Sequence, residues 1–198
     1  MANIELTNMC MIYDRHTHKV LVQERVKSWE GLAFPGGHLE DGESIVDSTI
    51  REIKEETGLT VSELELCGII YWYNEETHDK YFVFSYRTYV FTGELLQETE
   101  EGKLYWVDRD ELSDLPLSRG LKERLPMFLD KKFSEGFGIV SRDGRREVNG
   151  NNADGLREGE LCNIFIVRRE LKGLRCLVSF ETEAITSIFR LTCMKTGW

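Results

Sequence analysis

The chain has 198 residues, of which 41% are hydrophobic and 30% charged, with a formal net charge of −10 at pH 7. That length accommodates one ample domain, or one of ordinary size with an extension, and it can bury a real core. The acidic balance and the lack of a basic patch exclude a stable grip on duplex nucleic acid, which needs clustered Lys and Arg, but a small polyanion bridged by a divalent cation stays compatible.

No charged-then-apolar leader follows Met1, and no apolar run approaches the length of a membrane span. The expectation is a cytoplasmic protein without membrane contact. Cys10, Cys67, Cys162, Cys176 and Cys193 are odd in number and form no Cys-x-x-Cys pair, so they read as reduced thiols, mostly buried.

In chain order, residues 4–13 and 20–24 are apolar-rich and read as strands joined by a polar turn at 14–19, a hairpin. A glycine-rich loop with Pro35 follows at 31–42. Residues 44–57 carry helix formers, and Gly58 stands in the position of a C-terminal stop. Segments 65–73, 81–91 and 103–107 are rich in aromatic and β-branched residues and read as strands. A second helix fits 117–129, with Pro126 as its kink or break. The irregular alternation predicts an α/β protein in which helices cover a mixed sheet.

Composition changes near Asp130. Acidic residues outnumber basic ones two to one in residues 1–130, whereas residues 131–198 are slightly basic. Residues 136–159 are rich in Gly, Asn, Asp and Arg and read as a linker, with apolar segments at 161–167 and 174–180 after it. The expected organisation is therefore a domain at 1–133 and a C-terminal extension at 134–198. That tail is expected to add strands, cover an edge, or contact a partner such as a second copy in a homodimer. If it is accessory, a chain cut near Asp130 keeps its activity.

The chemistry concentrates between Gly37 and Gly58. On a helix, Glu52, Glu55 and Glu56 sit at i, i+3 and i+4, so their carboxylates project from neighbouring positions. Ile45, Val46, Thr49, Ile50 and Ile53 form an adjacent apolar stripe that would pin the helix to the sheet. An oxygen-only cluster suits a hard cation, Mg²⁺ or Mn²⁺, which fills its other positions with water and phosphate oxygens. Gly36 and Gly37 let the main chain approach a ligand closely. Arg51 is placed to clamp Glu43 or Glu55. A Glu-rich helix face is ordinarily a solvated surface. Here the run fits Gly-x₅-Glu-x₇-Arg-Glu-U-x-Glu-Glu-x-Gly-U, with U aliphatic, at Gly37, Glu43, Arg51, Glu52, Ile53, Glu55, Glu56, Gly58 and Leu59, and that many fixed positions reverse the reading.

This pattern is the Nudix box, and the chain resembles Nudix hydrolases. With Thr-Asn-Met-Cys-Met-Ile-Tyr near the start and Phe-Pro-Gly-Gly-His before the box, residues 6–133 are similar to the MutT-type 8-oxo-dGTP diphosphatases. The resemblance implies an α/β/α sandwich, with Glu52, Glu55, Glu56 and the Gly37 carbonyl as ligands of Mg²⁺, or of Mn²⁺, while Glu43 and Arg51 brace the loop and helix. It also implies one more acid outside the box, for which Glu101 is the choice and Glu100 the alternative. The implied reaction is attack of water on a phosphorus of a nucleoside triphosphate, releasing pyrophosphate and a monophosphate, with Glu52 or Glu101 as base.

Arg25, at the end of the second strand, is placed to touch phosphate oxygens; otherwise it is an ordinary exposed arginine. Phe34 is a candidate for contact with the base, and so are Trp29, Trp72, Tyr73 and Phe82, although core packing is the commoner role for each. His38 and His78 receive no role. Competing readings keep the chemistry with ADP-ribose, a dinucleoside polyphosphate, NADH or capped RNA as substrate, or retain the fold as a non-catalytic nucleotide-binding regulator. After the box, prolines occur only at Pro116 and Pro126, which lacks the proline pattern of ADP-ribose and NADH enzymes, and a complete carboxylate set argues against a pure sensor.

Overall fold

In the computed structural model, the described residues are 2–26, 31–118, 120–130 and 133–140, together with the strands Cys162–Arg168 and Leu177–Ser179. The elements are β1 (Ile4–Asp14), β2 (Lys19–Arg25), β3 (Gly31–Ala33), α1 (Ile45–Thr57), β4 (Leu59–Ser62), β5 (Glu65–Asn74), β6 (Lys80–Thr88), β7 (Val90–Gly93), β8 (Glu98–Thr99) and β9 (Gly102–Asp108). A 3₁₀ turn (Arg109–Asp114), α2 (Leu121–Leu129), β10 (Phe133–Val140), β11 (Cys162–Arg168) and β12 (Leu177–Ser179) complete them. The main sheet runs β12-β11-β10-β5-β6-β1-β2-β9-β8, with β3 on β2, while β4 and β7 pair separately. It is a mixed sheet: β1 runs parallel to β6 and β5 parallel to β10, and the other pairs are antiparallel.

Alternation along β1 and β2 divides the core into two layers. Cys10, Ile12 and Leu21 pack with Ile53 of α1 on one face. Met11, Val20 and Val22 pack with Leu121, Leu125 and Phe128 of α2 on the other. Helices on both faces make this an α/β/α sandwich. Burying a side chain such as Ile53, which is fully buried, contributes about 1.5–3 kcal/mol. In the predicted stripe of α1, Val46 is 42% exposed while Thr49 and Ile53 are buried, so the buried face is narrower than expected.

Four local readings are corrected. Part of the glycine-rich loop is the short strand β3, paired with β2. The expected strand 81–91 breaks at Tyr89, and β7 leaves the main sheet for β4. The second helix begins at Leu121, after Gly120 with φ 74°, because Leu117 bridges to Leu32 and extends the chain there; Pro126 lies inside it, within the last turn. The start of the expected linker, residues 136–140, lies in β10, which pairs with both β5 and β11. Beyond it, residues 141–159 lie outside the described residues.

Arg87 ties the sheet to the end of α2, donating to the Phe128 carbonyl at 2.7 Å and through Nε and Nη2 to Glu65 Oε2. Cys10 is buried, which pushes its thiol well above the usual range and leaves it unreactive; Cys67 is partly buried. Among the described residues no helix is long and apolar enough to cross a membrane.

Candidate active site

The local sequence holds α1 at both ends. Ser44 Oγ accepts from the Asp47 N–H at 3.1 Å, an N-cap worth about 1 kcal/mol. At the other end Gly58 adopts φ 76°, and its N–H closes on the Lys54 carbonyl. Arg51 then fastens the preceding loop to the helix. Its Nε and Nη2 form a forked pair with Glu43 at 3.1 and 2.7 Å, and Nη2 also reaches the His38 carbonyl at 3.0 Å. These hydrogen bonds hold the Glu43 carboxyl down to about 2. The same guanidinium donates from Nη1 to Glu52 Oε1 at 3.0 Å and Glu55 Oε2 at 3.1 Å, so it pairs on both sides of the loop and helix.

A cleft of about 690 Å³ opens beside this helix. Its wall includes Arg25, Gly36, Gly37, Glu52, Glu56 and Glu101. Glu56 Oε2 accepts from the Gly36 N–H at 2.9 Å. Burial above all, aided by the charges of Glu52 and Glu101 and opposed by the Gly36 bond and Arg25, pushes the Glu56 carboxyl up to about 7. Gly36 has φ 150°, and a β-carbon there would lie 2.4 Å from the Asn8 carbonyl oxygen; one on Gly37 would lie 2.4 Å from the Glu52 carboxyl carbon. Gly36 is required by the close approach of the backbone, whereas the neighbour of Gly37 is the end of the Glu52 side chain. The Gly37 carbonyl accepts from the Asn8 N–H at 2.8 Å, using one of its two lone pairs. Arg25 Nη2 lies 3.7 Å from Glu101 Oε2, and its buried Nε has no hydrogen-bond partner among the described residues.

Glu55 is placed differently from its neighbours. Its side chain is 60% exposed, bonded to Arg51, and absent from the cleft wall. Among the described residues no three His, Cys, Asp or Glu side chains converge closely enough to hold an ion as they stand. The donor chemistry nevertheless fits a hard divalent cation: the carboxylates are oxygen donors, and Glu56 is a desolvated carboxyl held beside two like charges. Glu100 is exposed, whereas Glu101 lines the cleft.

The cleft is also lined by the apolar Met9, Trp72, Tyr81 and Val83, and by the polar Glu5, Thr7, His38, Asn74, Asp79 and Lys80. Phe34 is corrected here: it is 1% exposed and packs edge-on against Phe128 in the core, so it does not line the cleft. Phe82 stacks on Tyr71 and Tyr73 bonds His78, both away from the cleft wall. Trp29 lies outside the described residues. Sequence reasoning passed over Glu5, Thr7 and Met9; their signal was the period-2 alternation of β1, which sets them on one face. His38 lines the cleft with Nε2 3.7 Å from Glu5 Oε2.

The fold and this cleft define a protein of the Nudix hydrolase class. A NUDIX domain model matches residues 5–128, more than half of the chain, and the chain belongs to the Nudix family. It is 34% identical over 104 residues to the uncharacterised Nudix hydrolase YvcI of Bacillus subtilis, covering 51% of this chain and 65% of that one. With the 8-oxo-dGTP diphosphatase of Proteus vulgaris it shares 36% over 62 residues, covering 30% of this chain and 55% of that one. The chain thus spans less than two thirds of the length of these relatives. The crystal structure of the mutator MutT protein from Bacillus halodurans superposes with a TM-score of 0.60 at 30% identity, covering 69% of this chain and 88% of that one.

Proposed function

We propose that this chain is a Mg²⁺-dependent pyrophosphohydrolase that cleaves nucleoside triphosphates to a monophosphate and pyrophosphate, with oxidised purine nucleotides such as 8-oxo-dGTP as its substrate class. The observation that supports it is the lining of one cleft by two sets of side chains: a charged set, Glu52, Glu56, Glu101 and Arg25, and an apolar set, Met9, Trp72, Tyr81 and Val83. A polyphosphate fits the first and a base the second. The 8-oxo-dGTP diphosphatase name of the Proteus vulgaris relative supports the choice of base.

In this reading Glu52, Glu55, Glu56 and the free lone pair of the Gly37 carbonyl would hold Mg²⁺ or Mn²⁺, for which the Glu55 carboxylate would have to leave Arg51. The bound ion supplies charge neutralisation of the polyphosphate and Lewis acidity at phosphorus. Arg25, on the cleft wall, offers its guanidinium to phosphate oxygens, a charge-assisted bond. Glu52 or Glu101 takes the proton from the attacking water. Glu43 acts on no substrate; it fixes Arg51 and so the carboxylates beside it. Action on oxidised nucleotides would place the protein in the cytoplasm as a DNA-repair function that cleanses the nucleotide pool.

The test is a substrate panel with Mg²⁺ containing 8-oxo-dGTP, dGTP, ADP-ribose, NADH and a dinucleoside tetraphosphate, with products separated by chromatography. Preferential conversion of 8-oxo-dGTP to monophosphate and pyrophosphate is expected. Turnover confined to ADP-ribose, NADH or the dinucleotide would replace the substrate class, and binding without turnover of any would favour a regulator.

A further inference from the structure

We propose that Gly138 of strand β10, beyond the stretch matched by the family model, is a positioning residue that lets Trp72 lie flat as the stacking platform for the substrate's base. This rests on the nucleotide reading above and assigns a role to two residues outside the Nudix box, of which Gly138 also lies outside residues 5–128. β10 runs parallel to β5, and in that register Gly138 stands directly beside Trp72. A β-carbon built on Gly138 would lie 2.1 Å from Trp72 Cζ3 and 2.2 Å from Cε3. The indole therefore lies across the α-carbon of Gly138, in space that any other residue would occupy.

Backbone conformation does not explain this glycine. Gly138 is absent from the glycines with positive φ, so its main chain suits other residues and only the ring excludes them. On Trp72's other side, β6 pairs Tyr81 with it directly, and both rings line the cleft with Val83 and Met9. An aromatic floor beside polar edge groups is the chemistry that takes a planar purine: stacking from the ring, hydrogen bonds from the rim. The alternative orientation of Trp72, lifted by a side chain at 138, would fill that floor.

The experiment compares the full-length protein with Gly138→Val and Trp72→Leu, each checked for folding by circular dichroism. Two readouts are taken: KM and kcat for the best nucleoside triphosphate, and binding of the matching nucleoside monophosphate by quenching of tryptophan fluorescence without metal. Both variants are expected to raise KM roughly ten- to hundredfold, the range expected for one lost base stack, with a much smaller change in kcat and with loss of monophosphate quenching. Unchanged KM and quenching in a folded Gly138→Val protein would overturn the inference, as would unchanged values in Trp72→Leu should the valine variant fail to fold. Wild-type protein that turns over no nucleoside triphosphate would instead refute the functional reading, so the two failures are distinguishable.

Discussion

Glu56 Oε2 accepts a 2.9 Å hydrogen bond from the backbone N–H of Gly36, joining α1 to the loop before it. The bond alone would lower the carboxyl's pKa, yet burial and the nearby Glu52 and Glu101 charges win and push it up to about 7 from 4.5. The helix thus carries an acid that is costly to ionise until a cation arrives.

That balance predicts a metal-linked pH dependence of stability. Because the folded pKa is raised, Glu56 favours folding fully below about 4.5, and the contribution is lost as pH rises through about 7. Thermal melts of metal-free protein should show a falling contribution over that window, with Mg²⁺ restoring stability more at pH 8 than at pH 5. Glu56→Gln should remove this slope. An equal response to Mg²⁺ at both pH values would contradict it.

Glu43 predicts the opposite sign. Its carboxyl is held down to about 2 by Arg51, so its contribution is present above about 4.5 and lost as pH falls through about 2. Glu43→Gln should therefore melt below wild type at pH 7, with the gap closing at the acid end of that range. It should also slow hydrolysis, since the released Arg51 no longer fixes Glu52. A gap that widens toward acid would refute the clamp.

Arg25→Ala should raise KM for a nucleoside triphosphate and lower kcat/KM roughly ten- to hundredfold, the effect of losing a hydrogen bond to a charged group. Steady-state kinetics checks this. An unchanged kcat/KM would return Arg25 to the role of a partner for Glu101.

The pairing of β10 with β5 predicts that a chain ending at residue 130 exposes the β5 edge, from Glu65 to Asn74. Such an edge templates association. Size-exclusion chromatography should find that chain aggregated; a soluble monomer with full activity would show that β10 is dispensable.

Much of the site was legible because its signals are local. Ser44, Gly58 and the 3.6-residue spacing of the acids specify α1 without reference to the rest of the chain, and helix geometry puts Arg51 within reach of Glu55. What was not legible depends on long-range contact. Gly136 and Gly138 have the composition of a linker, but in β10 they are part of the main sheet, and only pairing with β5 reveals that. Phe34 lies in the glycine-rich loop, equally consistent with a cleft wall or a core; its contact with Phe128, far away in sequence, decides for the core. Glu55 carries the spacing of a cleft carboxylate but stands outside the wall, because Arg51 engages it first.

The most direct test is the rate of pyrophosphate release from 8-oxo-dGTP with Mg²⁺, wild type against Glu56→Gln, both verified as folded. The account predicts turnover that requires Mg²⁺ and a loss of several orders of magnitude in the variant. Metal-independent release, or an unaffected rate in Glu56→Gln, would contradict it.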